Sequence, residues 1–204
     1  MPKTEPLTRG HKKKARTHRR LIDAGVHAFA ARGARITVRD VADGAGVSTG
    51  TFYNYFDDIE SFVDALALEL LGTVVQEVAG SNQPDPARRF ATATTRFLRF
   101  VQSGPDWGWV VLRLVARPDT DPTLLDELRR DLEQAHATGR FTLAPDEMAV
   151  DLIVGLLLTS IRRIAAGEAP PDLPRAVVER LLILLGLCPT EAQALAAEAA
   201  SPPA

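Results

Sequence analysis

What the chain lacks narrows it first. A single cysteine in 204 residues, Cys188, leaves no internal disulfide and no cysteine-built metal centre, and a reducing compartment is the simplest setting. That thiol lies in an apolar run, where a buried, inert sulfhydryl is expected. The four histidines, His11, His18, His27 and His136, form no ligand spacing, so neither a metal nor a cofactor is expected. There is no Gly-rich phosphate loop and no G-x-S-x-G elbow, and nothing supports an enzyme. The longest apolar runs, 152–158 and 181–187, fall far short of the roughly 20 residues that span a bilayer. The N-terminus also lacks the apolar core of a signal peptide, which points to the cytoplasm. No period-two strand pattern and no internal repeat is visible, so the fold expected is all-α.

The near-zero net charge of -2 conceals an asymmetry. Residues 1–56 hold eleven Lys/Arg against four Asp/Glu, and the remainder holds thirteen against twenty-two. A basic head on an acidic body implies that the head alone meets a polyanion. A membrane-surface role for the basic segment fails, because no broad apolar face accompanies it.

The chain is organised around residues 37–56, TVRDVADGAGVSTGTFYNYF. Thr37 suits an N-cap, with Asp40 three residues on, and Val38, Val41, Ala42 and Ala45 lay one apolar stripe at helical spacing. Gly46 accepts positive φ, so the chain can reverse through Ala45-Gly46-Val47. Ser48 is a second N-cap, and the helix it opens runs on towards Phe56. Phe52 and Phe56 share its inward face, leaving Thr49, Gly50, Tyr53 and Asn54 outward. Small, hydroxylic, amide and phenolic groups on an exposed helix suit a DNA major groove, so the segment reads as a helix-turn-helix.

These twenty residues resemble the signature of the TetR family of bacterial regulators, T-x-x-x-(I/V)-A-x-x-A-G-V-S-x-G-x-(F/L)-Y-x-(Y/H)-F. Thr37, Val41, Ala42, Ala45, Gly46, Val47, Ser48, Gly50, Phe52, Tyr53, Tyr55 and Phe56 all fall on it. One position departs: the family usually carries a lysine three residues after the final Phe, and here Ile59 stands there. If that lysine grips a phosphate, this chain must find the charge elsewhere.

Within the head, Thr37, Tyr55 and the basic entry to the first helix, with Lys13 and Arg16, are expected at phosphates. Ser48, Thr49, Thr51, Tyr53 and Asn54 are expected near backbone or base edges, with Gly50 permitting close approach.

Taken in order, residues 1–10 read as an arm, followed by a helix with Leu21, Ile22, Gly25, Val26 and Phe29 on one side and Gly33 as its stop. After the helix-turn-helix, Asp57-Asp58 opens a fourth helix to about Ala79, and 80–86 is a break. A fifth helix turns Phe90, Ala93, Phe97, Phe100 and Val101 inward. A sixth follows Pro105, and a seventh is capped by Asp121-Pro122. The eighth and ninth, near 146–166 and 173–187, carry more apolar surface than one body readily covers, with Gly155 suited to close approach. About nine helices result, divided as a DNA-binding domain at 1–56, a ligand-binding and dimerisation domain at 57–188, and a tail at 189–204 that is either a short helix or unstructured.

The family resemblance implies a homodimer through those two helices, a palindromic duplex operator, and a small-molecule pocket in the body. Phe97, Phe100, Trp107, Trp109, Arg113 and His136 are the candidates to line it, for an apolar or aromatic effector. Each aromatic also suits plain core packing, and His136 suits the end of a helix dipole. The reading is therefore a transcriptional regulator, in the family's commoner mode a repressor released by its effector. The alternative is a ligand-independent or partner-controlled DNA-binding protein.

Overall fold

The computed structural model describes residues 9–32, 35–78, 83–115 and 125–201, and among them the chain is all-helical, with ten helices and no strand. The order is α1 (Arg9–Arg32), α2 (Val38–Ala45), α3 (Thr49–Tyr53), α4 (Ile59–Val78), α5 (Pro86–Ser103), α6 (Pro105–Val115), α7 (Asp126–Ala137), α8 (Glu147–Ala165), α9 (Leu173–Leu184) and α10 (Pro189–Ala200). Gly33, the cap at Asp121-Pro122 and most of the expected arm lie outside the described residues; Arg9 and Gly10, assigned to that arm, already belong to α1. No described helix is long and apolar enough to cross a membrane, and the described residues hold no cluster of three potential metal ligands.

The chain divides into two compact units, residues 1–69 and 70–204, with the division inside α4 rather than ahead of it. The first unit is built on α1. Leu21, Ile22, Val26 and Phe29 are buried on it, against Val41, Ala42 and Ala45 of α2 and the aromatic cluster of Phe52, Phe56 and Phe62.

In the second unit α5 is central, touching α6, α7, α8, α9 and α10. Its buried residues are Ala87, Phe90, Ala91, Thr94, Thr95, Leu98 and Val101, so the inward face is wider than expected. Ala93, Phe97 and Phe100, placed inward from sequence, are only half-buried. The buried positions follow one helical stripe, but Thr94 and Thr95 hold its middle, so apolar pattern alone shifts the expected face towards Ala93, Phe97 and Phe100. Helices α6 and α8 approach closely at Gly108, where a Cβ would meet Ala165 at 3.0 Å and Val101 at 3.1 Å.

Of the two readings left open for the C-terminal stretch, the short helix is the one observed: residues 189–200 form α10, because Ala192, Leu195 and Ala196 give it an apolar face buried on α5 and α9. Arg88 pairs with Glu198 and Arg99 donates to the Ala200 carbonyl, fixing its far end. Cys188 is exposed instead of buried: the chain turns at Gly186 (φ +103°), keeps Leu187 inside, and leaves the thiol at the outer start of α10.

Of the two helices expected to offer apolar surface, α9 spends Val177, Val178, Leu181 and Leu182 inside its own unit. Helix α8 keeps Met148 and Leu152, one turn apart, exposed at 64% and 47%, with open space at Gly155.

Candidate nucleic-acid interface

The α2–turn–α3 segment is held by local hydrogen bonds that its sequence dictates. Thr37 caps α2: its Oγ1 accepts from the Asp40 N–H, while Asp40 Oδ2 accepts from the Thr37 N–H at 3.0 Å and the Thr37 hydroxyl at 2.7 Å. That hydroxyl bond, more than the nearby Arg32 and Arg39, keeps the Asp40 carboxyl below its usual titration range. Gly46 then adopts φ +62°, and its N–H and that of Val47 return to the Asp43 and Ala42 carbonyls. Ser48 caps α3, accepting from the Thr51 N–H at 3.1 Å and sharing a hydroxyl contact with Thr51 at 2.9 Å.

Helix α3 is shorter than its pattern suggests. It ends at Tyr53, with Asn54 as C-cap, and the chain turns through Tyr55 so that both Phe52 and Phe56 are buried. The face it leaves outward is the expected one. Thr49, Gly50, Tyr53 (56% exposed) and Asn54 are open, with Ser48 beside them, while Thr51 and Tyr55 are half-buried. Thr37 is exposed at the other end of α2, and Lys13 and Arg16 are exposed on α1.

Sequence reasoning missed how α1 serves this segment. Arg20 donates to the Ala45 carbonyl, the last of α2, and a Cβ on Gly46 would lie 3.1 Å from its guanidinium, so it braces the turn from behind. On the neighbouring side of α1, His18 lies against Phe56 and Tyr55 (ring centroids 5.4 and 6.4 Å) and Lys14 Nζ stands 6.0 Å from the Tyr55 ring centre. The signal was the spacing Lys14, His18, Leu21/Ile22, Gly25, which puts all of them on one line of the helix. These residues open onto a basin of about 960 Å3 beside Tyr55, where Lys14, Arg16, His18, Arg19 and Arg20 outnumber the two carboxylates, Asp23 and Glu69. The arrangement offers a rigid polar face beside a concentration of fixed cations, the combination a duplex groove and its flanking phosphates require.

The residues proposed for a pocket in the second unit are only partly brought together. Phe100 and Trp107 stack obliquely, 6.2 Å between centroids, and Phe97 and Trp109 are half-buried. His136 is exposed at the end of α7, with Nδ1 3.2 Å from the Phe141 carbonyl. That position is the helix-end role rather than a place beside the aromatic pair. The Arg113 side chain lies outside the described residues.

Comparison with known proteins bears on both units. Residues 21–66 match the family model described as "Bacterial regulatory proteins, tetR family", and residues 85–198 match "Tetracyclin repressor-like, C-terminal domain". The HTH-type transcriptional repressor KstR2 of Rhodococcus jostii is 37% identical over 81 residues, a stretch covering 38% of this chain and 40% of that protein's length. Among solved structures, RolR bound to its ligand resorcinol is 28% identical with a TM-score of 0.63, covering 91% of this chain and 95% of that one. The fatty acid degradation regulator FadR from Bacillus halodurans, 22% identical, superposes with a TM-score of 0.70 over 84% of this chain and 100% of its own.

Proposed function

The chain belongs to the tetR family of bacterial regulatory proteins, and from that premise we propose that it is a sequence-specific transcriptional repressor whose hold on DNA is released by a small molecule. The observation that carries this reading is the doubly capped α2–α3 segment with Thr49, Gly50, Tyr53 and Asn54 outward. Asn54 is suited to bond an adenine edge through both amide groups, a contact worth about 1–3 kcal/mol of discrimination. Lys13, Arg16, Thr37 and Tyr55 supply affinity through phosphates, and Ser48, Thr49 and Thr51 work near backbone and base edges.

One such helix reads only a few base pairs, so the working unit is a homodimer on a palindromic operator. Its half-sites lie about 34–36 Å apart, one duplex turn. The exposed Met148 and Leu152 and the open flank at Gly155 favour α8 as the heart of the dimer contact. Helix α9 contributes the residues left at its surface, among them Ala176 and Arg180. The protein works in the cytoplasm without a cofactor and performs no catalysis.

The effector site is assigned to the second unit around Phe97, Phe100, Trp107, Trp109 and Arg113, with His136 further off. RolR, the resorcinol-bound relative, favours a small phenolic or similarly aromatic effector. Release then follows from differential affinity: the effector must bind better to a state that fits the operator poorly. Helix α4, continuous across the division at 69/70, is the covalent route between the two functions.

The test is selection of duplexes from a random pool by the full-length protein, followed by gel shift of the enriched sequence with and without resorcinol. A palindrome bound as a dimer and released by the phenol is the expected result. Failure to enrich any duplex at low salt would overturn the reading.

A further inference from the structure

We propose that Lys14 and Tyr55 together seat one phosphodiester of the DNA backbone, with the cation delivered from α1 and not from the start of α4. The inference rests on the reading that the N-terminal unit binds duplex DNA.

The geometry is that of a packed seam running out into solvent. At its inner end Gly25 lies against Phe62; one turn back along α1, Leu21 and Ile22 are fully buried; one further turn back, His18 lies against Phe56 and Tyr55. Lys14 is the next residue on that line, and it is exposed, with Nζ 6.0 Å from the Tyr55 ring centre. The ring's negative face draws the ammonium to one place, and the packing behind it fixes the ring. A cation held this way loses less freedom on meeting a phosphate than a lysine waving in solvent. Tyr55 lines the same basin, and its hydroxyl is a second donor for a phosphate seated there.

Other charges direct the anion to this seat. The entry to α4 reads Asp57, Asp58, Ile59, Glu60, so a phosphate approaching from that side meets carboxylates and no cation. Asp58 is fixed there, accepting from the Ser61 N–H at 2.7 Å. On α1 and α2, Arg20 is engaged with the Ala45 carbonyl, Arg32 with Asp40 and Arg39 with Asp43. Arg16 and Arg19 also line the basin, and Lys14 is distinguished from them by its ammonium standing at the Tyr55 ring.

The experiment uses the full-length protein and a random-sequence 40-base-pair duplex, with affinity followed by fluorescence anisotropy across a salt series. Each neutralised phosphate contributes about 0.9 to the slope of log affinity against log salt. Lys14→Ala is expected to reduce the slope by about that amount, and Lys14→Arg to preserve it. Lys14→Ala combined with Ile59→Lys is expected to regain the slope, because the cation is then supplied from α4. Tyr55→Phe is expected to weaken binding at every salt concentration with the slope intact, and Arg130→Ala, on the exposed surface of α7, to change neither. A Lys14→Ala slope indistinguishable from wild type, with wild-type binding observed, would overturn this inference alone. Absence of wild-type binding at low salt would instead bring down the DNA-binding reading on which it stands.

Discussion

Gly25 lies against the tip of the Phe62 ring, so closely that a Cβ at position 25 would fall 2.2 Å from Cζ and 2.6 Å from Cε1. Phe62 has no room to retreat, being fully buried with Phe52 and Phe56 at centroid distances of 5.5 and 4.9 Å. Glycine inside a helix costs about 1 kcal/mol against alanine, and here the close approach explains its presence. Gly25→Ala is expected to destabilise the N-terminal unit by about 1–3 kcal/mol, overpacking outweighing the gain in helix propensity. Urea denaturation checks this, and Gly25→Ala with Phe62→Leu should recover part of the loss.

The opposite sign is expected at Thr95. Its hydroxyl is 1% exposed and has no hydrogen-bond partner, whereas the equally buried Ser160 donates to the Leu156 carbonyl at 2.7 Å. Thr95→Val removes an unsatisfied polar group at nearly constant shape and should raise stability by about 1 kcal/mol. A higher denaturation midpoint with unchanged DNA affinity is the expected readout.

Acid should loosen the second unit through Asp85. Arg140 donates to both its oxygens, at 2.7 and 3.1 Å, and to Glu191 at 2.7 Å, tying the start of α5 to α10. The Arg140 bonds hold the Asp85 carboxyl below its ordinary value of 3.8. A depressed folded value means the contribution is present at neutral pH and is lost as pH falls below about 4 through the folded titration. Arg140→Met is expected to cost about 1 kcal/mol at pH 7, discounted for partial exposure, and less at pH 2. Urea midpoints of both proteins at the two pH values check it.

Base readout and phosphate grip should separate by mutation. Asn54→Ala and Thr49→Ala are expected to change which duplexes are enriched from a random pool. Arg16→Ala should weaken specific and random duplexes by the same factor. Parallel gel shifts on both kinds of DNA report the difference.

Effector response should depend on the aromatic pair at α5 and α6. Trp107→Ala is expected to abolish release by resorcinol while leaving DNA affinity in its absence unchanged, as measured by gel shift with increasing phenol. Retained release would remove Trp107 from the site.

The helix-turn-helix was legible because it is made locally. Thr37 with Asp40, Gly46, and Ser48 with Thr51 each act within a few residues, so the sequence displays both partners at once. The length of α3 was not, since its last turn tightens, with the Asn54 and Tyr55 N–H groups bonding the Thr51 and Phe52 carbonyls, while Phe52 and Phe56 keep the shared face that the pattern shows. The buried face of α5 was misplaced by one position around Phe97 and Phe100, because Thr94 and Thr95 hold the middle of that face and their polarity does not mark them as inward. Arg140 joins partners 55 and 51 residues away, and no local pattern announces that. For the effector residues the sequence offered only residue types, and types do not distinguish a wall from a filling.

The final helix has a practical bearing on how this chain is handled. Because α10 covers apolar faces of α5 and α9 and receives Arg140, Arg88 and Arg99, a fragment stopped at Leu187 would bare a greasy seam, take from Arg88 and Arg99 their partners on it, and leave Arg140 with Asp85 alone. Expression should therefore run through Ala200, and purification handles belong after Ser201, where the helix has already finished its work as a clasp.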